Sequence, residues 1–257
     1  MYSCTSEYDD MYNYADNEHI KFLSSNGTTV HSYFYDQSGK IVEENCLFYF
    51  KKYIYDKNER LIRVESAFDK SILSSSSFTE QRTEFMTSQN SVIDSYSLYH
   101  YDKASRLSET EHYFKETGAK FEYRSMTTFE YKGAFIVREN LHDPKGQITQ
   151  YHVYTYDKNG NVSSNKHYSN LFGSKDELRS ETIFKYDNYK NPYRIFNISG
   201  SPGFNTNVNN IIETNTIRYE DIPGVDKQTS SKTFYEYNKN GYPIKEITVN
   251  SEIDYNY

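Results

Sequence analysis

The chain has 257 residues, a formal net charge of −7, 28 Tyr, 16 Phe and no Trp. The acidic balance leaves no basic excess to neutralise phosphates, which excludes a nucleic-acid partner. No apolar run approaches the ~18 residues of a membrane-spanning helix, and two cysteines are too few for a disulfide scaffold.

Residues 1–18 read as an acidic, flexible leader and 19–257 as one domain. Within that domain a short motif recurs: aromatic-x-Tyr-Asp, a polar stretch often ending in Gly, then a polar and an aliphatic residue. It occurs as Tyr33-Phe34-Tyr35-Asp36 with Gly39, as Tyr53-Ile54-Tyr55-Asp56, as Tyr99-His100-Tyr101-Asp102, and as Tyr154-Thr155-Tyr156-Asp157 with Gly160. Degenerate copies are Phe129-Glu130-Tyr131, Phe184-Lys185-Tyr186-Asp187, and Tyr235-Glu236-Tyr237-Asn238 with Gly241. The spacing between copies is irregular, which rules out a solenoid and favours hairpins with far-end loops of variable length.

Asp157-Lys158-Asn159-Gly160 suits a three-residue hairpin loop, because Asp bonds its own turn backbone and Gly tolerates positive φ. That geometry predicts Tyr156 opposite Val162, Tyr35 opposite Ile41 and Tyr55 opposite Leu61. Glu59 and Ser105 stand where Gly is wanted, so those two turns are expected to be strained or of another type. Runs such as 60–65, 113–129 and 244–249 read as strands. Helical signals are confined to 175–179 and a stretch near Met11. A Ser-rich tip, 71–77, and a Gly/Pro/Asn-rich segment, 197–210, read as loops. The fold class is all-β, a long antiparallel meander of a dozen or more strands. Its edges must be closed, stacked or charged to avoid recruiting other chains. Ser163-Ser164-Asn165-Lys166 and Glu109-Thr110-Glu111-His112 put polar groups on both faces, which predicts a water-soluble sheet. The pattern leaves barrel and sandwich open.

Chemistry-bearing motifs are sparse. The seven His are scattered without close metal-ligand spacing, and no cofactor or metal is expected. Glu109 and Glu111 would share one strand face at about 7 Å, within the range of paired glycosidase acids. Cys46 is expected to be a small buried residue. The Tyr content supports two readings, sheet packing or platforms for stacking glycans.

The Tyr-x-Tyr-Asp units resemble the tyrosine–aspartate repeats of large bacterial surface and toxin-shell proteins. The series Asp187-Asn188-Tyr189-Lys190-Asn191-Pro192-Tyr193, Asn207-Val208-Asn209-Asn210 and Tyr235 to Pro243 resembles a family of Bacteroides-type secreted lipoproteins of unknown function. That resemblance implies a porin-like barrel, closed or nearly closed, in the bacterial cell envelope, and it brings no catalytic residues. It also makes Cys4, followed by Ser and acidic residues, a candidate lipidation site, the only route to a membrane. The expected role is a non-catalytic envelope module with a glycan or an envelope protein as partner. The alternatives are a carrier of a lipid, glycan or peptide inside the barrel, and a carboxylate-based glycoside hydrolase.

Overall fold

A computed structural model describes residues 18–69, 84–116, 118–170, 176–219 and 227–257. Its strands are β1 (Phe22–Ser25), β2 (Thr28–Tyr35), β3 (Ile41–Cys46), β4 (Tyr49–Tyr55), β5 (Leu61–Phe68), β6 (Ser95–Tyr101), β7 (Leu107–Phe114), β8 (Glu122–Lys132) and β9 (Phe135–His142). They continue as β10 (Ile148–Tyr156), β11 (Val162–Ser169), β12 (Glu177–Tyr186), β13 (Ile211–Arg218), β14 (Gln228–Lys232), β15 (Phe234–Tyr237), β16 (Pro243–Ile247) and β17 (Glu252–Asn256). The Ser-rich tip, Cys4 and the stretch near Met11 lie outside the described residues. Two expectations need correction. The helical turn at 175–179 gives way to strand β12 from Glu177, and the run 113–129 divides into β7 and β8.

From β2 to β14 every strand pairs antiparallel with the next. β15, β16 and β17 continue the meander, and β1 bridges β17 to β2. Between β14 and β15 the ring is carried by the chain itself. The two strands flank Thr233 in one extended stretch, whose first part pairs with β13 and whose second part pairs with β16. Thr233 N–H donates to the Ile212 carbonyl at 3.0 Å. The result is a nearly closed all-β barrel.

The Tyr-Asp units gather at one end of the barrel, and the register there follows from the turn chemistry. Tyr35 faces Ile41, Tyr55 faces Leu61, Tyr101 faces Leu107 and Tyr156 faces Val162. Asp36 Oδ1 accepts the N–H groups of Ser38 and Lys40, and Asp56, Asp102 and Asp157 repeat the arrangement at their own turns. Gly39 and Gly160 take φ values of 83° and 86° in these turns, while Glu59 and Ser105 are held at 66° and 60°. The turn type is therefore conserved among the four units, and the two non-glycine residues carry the strain.

The second tyrosine of each unit has a further partner that the motif alone does not reveal. Its hydroxyl donates to the carbonyl of the aliphatic residue that ended the preceding turn. Tyr55 reaches Ile41, Tyr101 reaches Leu61, Tyr131 reaches Leu107, Tyr156 reaches Ile136 and Tyr186 reaches Val162, at 2.6–2.8 Å. Tyr257 reaches Pro243 and Tyr35 reaches Ile20 in the same way. In the Tyr235/Tyr237 unit the pattern shifts: Tyr235 donates to the Ile211 carbonyl, and Tyr237 donates to Asp187. A girdle of phenols thus ties each hairpin to its predecessor around the turn end.

That end is closed by the segment between β12 and β13. A 3-10 helix, Pro192–Ser199, begins at an Asn191 cap with Pro in its first turn and ends at Gly200. Phe196 from this helix packs in the core with Ile20, Leu23, Tyr33, Ile41 and Tyr255. The helix was not foreseen, and it sits inside the barrel as a plug. Asparagines fasten it. Asn161, fully buried, accepts from the Val208 and Asn209 N–H groups and donates to Asp157 and Asn209. Asn207 accepts from Val162 N–H, and Asn191 donates to the carbonyls of Phe204 and Asn207.

The alternate residues of the strands point outward and carry charge. Arg63 pairs with Glu65, Lys166 with Glu181, Lys185 with Glu213 and Lys245 with Glu252. Rings on this face brace neighbouring strands. Tyr96 stacks on Tyr113 at 4.6 Å with the Arg63 guanidinium 4.0 Å from its centroid, and Tyr151 stacks on Tyr168 beneath Arg138. A wall of ion pairs does not suit hydrocarbon, where a spanning barrel shows an apolar band.

Candidate functional site

β1 to β6 and the plug enclose a cavity of about 470 Å³ in the lumen. Period-two alternation brings His31 and Tyr33 of β2, Glu44 of β3, Tyr49, Lys51 and Tyr53 of β4, and Tyr99 of β6 onto its wall. Tyr193, Phe196 and Phe204 enter from the plug side. Tyr33, Tyr53 and Tyr99 are the first tyrosines of their units. The motif therefore has a division of labour: the first ring faces the lumen and the second joins the girdle.

Glu44 is the hub. It is 7% exposed, and its carboxylate accepts from the Tyr49 hydroxyl at 2.5 Å, the Tyr53 hydroxyl at 3.1 Å and the Lys51 ammonium at 3.2 Å. His31 Nδ1 lies 3.7 Å from the same carboxylate and 3.3 Å from the Tyr49 hydroxyl. Burial works against ionisation of Glu44, yet the His31 hydrogen bond, the Lys51 charge and the Tyr49 bond outweigh it, bringing the carboxyl down to about 2. Burial likewise opposes the His31 cation, but hydrogen bonds to Cys46 and Glu44 raise it to about 9. Cys46, directly opposite His31 in the ladder, is 4% exposed. Its thiol is lowered by the His31 hydrogen bond and by backbone N–H groups of Phe48 and Tyr49, against the effect of burial.

Tyr33 and Tyr99 differ from their neighbours. Both line the cavity, Tyr33 at 8% exposure, and neither hydroxyl has a hydrogen-bond partner among the described residues. Burial pushes both phenols well above their ordinary value, with nearby Tyr193 and Glu44 adding to the effect at Tyr33 and Tyr101 at Tyr99. They stay protonated at any physiological pH.

A second cleft, about 510 Å³, lies at the turn end between the girdle and the plug. Its cations are largely engaged within their own turns. Arg60 binds Asp56 and lies over the Tyr101 ring, and Arg106 binds Asp102 and lies over Tyr131. Glu109 and Glu111 do share a strand face, but that face is the outer wall and lines neither cavity. They meet His100 there, with ligand atoms of all three within 4.8 Å of one another. This grouping escapes a search by sequence spacing because the β6–β7 register, His100 against Glu109, creates it.

The sequence matches no family model and no curated protein. Solved structures do match. A porin-like protein from Bacteroides vulgatus superposes with a TM-score of 0.54 at 13% identity, covering 93% of this chain and 99% of that one. The fold is therefore that of a porin-like barrel. A second porin-like protein, from Bacteroides uniformis, aligns at 9% identity over 93% of this chain and 98% of that one, with a TM-score of 0.41.

Proposed function

We propose that this chain is a non-catalytic binding module of the bacterial cell envelope that holds a small, hydroxyl-rich ligand of the glycan class in its lumen. The observation that carries the reading is the pair of unpartnered phenols, Tyr33 and Tyr99, on the wall of a 470 Å³ cavity. That volume falls within the ordinary range of small-ligand sites, roughly 300–1,000 Å³. A sugar hydroxyl bonded to each phenol contributes roughly 0.5–1.5 kcal/mol, while the plug rings Tyr193, Phe196 and Phe204 offer apolar contact. The plug fixes the cavity in advance, since its asparagine bonds hold it in place without a ligand. The envelope address draws on the Cys4 leader and on the porin-like fold; mass spectrometry of the protein from its native envelope tests it, and an unmodified Cys4 thiol would remove the tether.

Calorimetric titration with mono- and disaccharides tests the binding role. Saturable binding that falls at least about fivefold in Tyr33→Phe/Tyr99→Phe is the expected result, from two lost hydrogen bonds of roughly 0.5–1.5 kcal/mol each. Absence of binding to every sugar offered, by a protein with native circular dichroism, would overturn it.

A further inference from the structure

The charged groups of the lumenal cavity are unequally engaged. Three charged residues line it, Lys51, His31 and Glu44. The single carboxylate is already saturated by Tyr49, Tyr53 and Lys51, with His31 beside it. What the wall still has to offer in charge is the remaining protons of Lys51, whose side chain is 38% exposed, beside the neutral polar groups of Tyr33, Tyr99, Ser66 and Asn205. A ligand that engages the remaining Lys51 protons must bring acceptors, and a charged acceptor forms the stronger bond with an ammonium donor.

Resting on the lumenal reading above, we infer that the preferred ligand is an anionic sugar, carboxylated or sulfated, whose oxyanion is held by the Lys51 ammonium. Glu44 takes one ammonium proton at 3.2 Å, and Tyr33 and Tyr99 offer hydroxyls to the sugar elsewhere on the same wall. The neighbouring imidazole adds positive potential from the far side of the carboxylate. Arg63 on the outer wall and Arg60 and Arg106 in the turn-end cleft are by contrast committed to Glu65, Asp56 and Asp102.

The test is competition between sugars that differ only at C6. Glucose and galactose, their uronates and their 6-sulfates are titrated into the whole chain by calorimetry at low and moderate ionic strength. An anionic form binding at least about tenfold more tightly than its neutral parent supports the inference. So does the loss of that preference in Lys51→Gln and its retention in Lys51→Arg. The uronate and sulfate arms identify which oxyanion is used. Should the neutral parent bind as well as or better than its anionic forms, the inference falls while the lumenal reading stands. Should an anionic preference survive Lys51→Gln unchanged, the anion lies elsewhere and the assignment is overturned. Should no sugar of either kind bind, both fall together.

Discussion

Replacing Tyr101 by Phe removes one oxygen atom and, with it, one link of the phenol girdle. The ring itself, packed under the Arg60 guanidinium at 5.0 Å, is left in place. The lost interaction is a 2.8 Å bond from a partly buried hydroxyl to the Leu61 carbonyl, forty residues earlier in the chain. A neutral hydrogen bond of this kind contributes roughly 0.5–1.5 kcal/mol net, more if the abandoned carbonyl finds no water. For a chain of this size each kcal/mol corresponds to about 2–4 °C in melting temperature. Tyr101→Phe is therefore expected to melt about 1–6 °C below the parent. Tyr113→Phe is the control, because that hydroxyl bonds Glu111 on the outer wall and its loss should fall within about 0.5 kcal/mol. Tyr186→Phe cuts the link to Val162, on different strands from the Tyr101 link, so the double variant should lose the sum of the two within about 0.5 kcal/mol. Paired thermal and urea denaturation of the parent and the four variants decides the matter. If Tyr101→Phe is no less stable than Tyr113→Phe, the girdle is a by-product of packing rather than a brace.

Three further outcomes follow from other parts of the barrel. Ser105→Gly relieves a left-handed residue that costs about 1–2 kcal/mol, less the roughly 0.4–1 kcal/mol that Gly loses in chain entropy, so urea denaturation should show a gain of about 0.5–1 kcal/mol. Gly200→Ala would place a Cβ 2.3 Å from Leu107 at a φ of +97°; a loss of about 1–3 kcal/mol is expected, and calorimetry should show weaker lumenal binding as the plug shifts. The Glu44 cluster sets a pH optimum. Glu44, lowered from 4.5 to about 2, contributes stability that is present above pH 4.5 and lost as pH falls towards 2. His31, raised from 6.5 to about 9, contributes stability that is present below pH 6.5 and lost as pH rises through 9. Denaturation midpoints should therefore form a plateau between these limits, and His31→Gln should flatten the alkaline side; an unchanged alkaline slope in that variant would contradict the pairing.

The local layer of this fold is legible in the sequence because its determinants are local. An Asp followed three residues later by Gly dictates the loop, and the loop dictates that Tyr35 meets Ile41 and Tyr156 meets Val162. The girdle bonds escape such reading, since a phenol at Tyr101 and a carbonyl at Leu61 are neighbours only once two hairpins lie side by side. The plug is a different case. Asn191-Pro192 is a helix start with a capping side chain and a preset φ, but the short 3-10 helix that follows is too brief for a periodic apolar stripe to announce it. The series Asn207-Val208-Asn209-Asn210, prominent only as a point of resemblance, proves to be half of the latch that fastens the plug to Asn161. Nothing in Ile41-Val42-Glu43-Glu44 marks Glu44 over Glu43. Strand alternation sends one of the pair inward, and only the register with Tyr33 and Lys51 says which.

Alternation also explains how so acidic and Tyr-rich a chain can build a barrel with so few aliphatic residues. Charged residues on the outer face pair across strands and keep that wall in water. The inner face cannot be filled with Leu and Val, because the ring of strands is too wide to collapse onto a single apolar core. Tyr solves the inner face, since each ring removes roughly 150–250 Å² from water while its hydroxyl can bond a carbonyl, a carboxylate or a ligand. Where the hydroxyl meets a carbonyl, as in Tyr55 and Tyr131, the residue is structural. Where it has no partner among the described residues, as in Tyr33 and Tyr99, the same chemistry is left open to a ligand. The repeat thus supplies both the brace and the lumenal wall from one side-chain type: the second tyrosines Tyr55, Tyr101, Tyr156 and Tyr186 brace, while of the first tyrosines Tyr53 and Tyr154 bond Glu44 and Glu139 and Tyr33 and Tyr99 stay open.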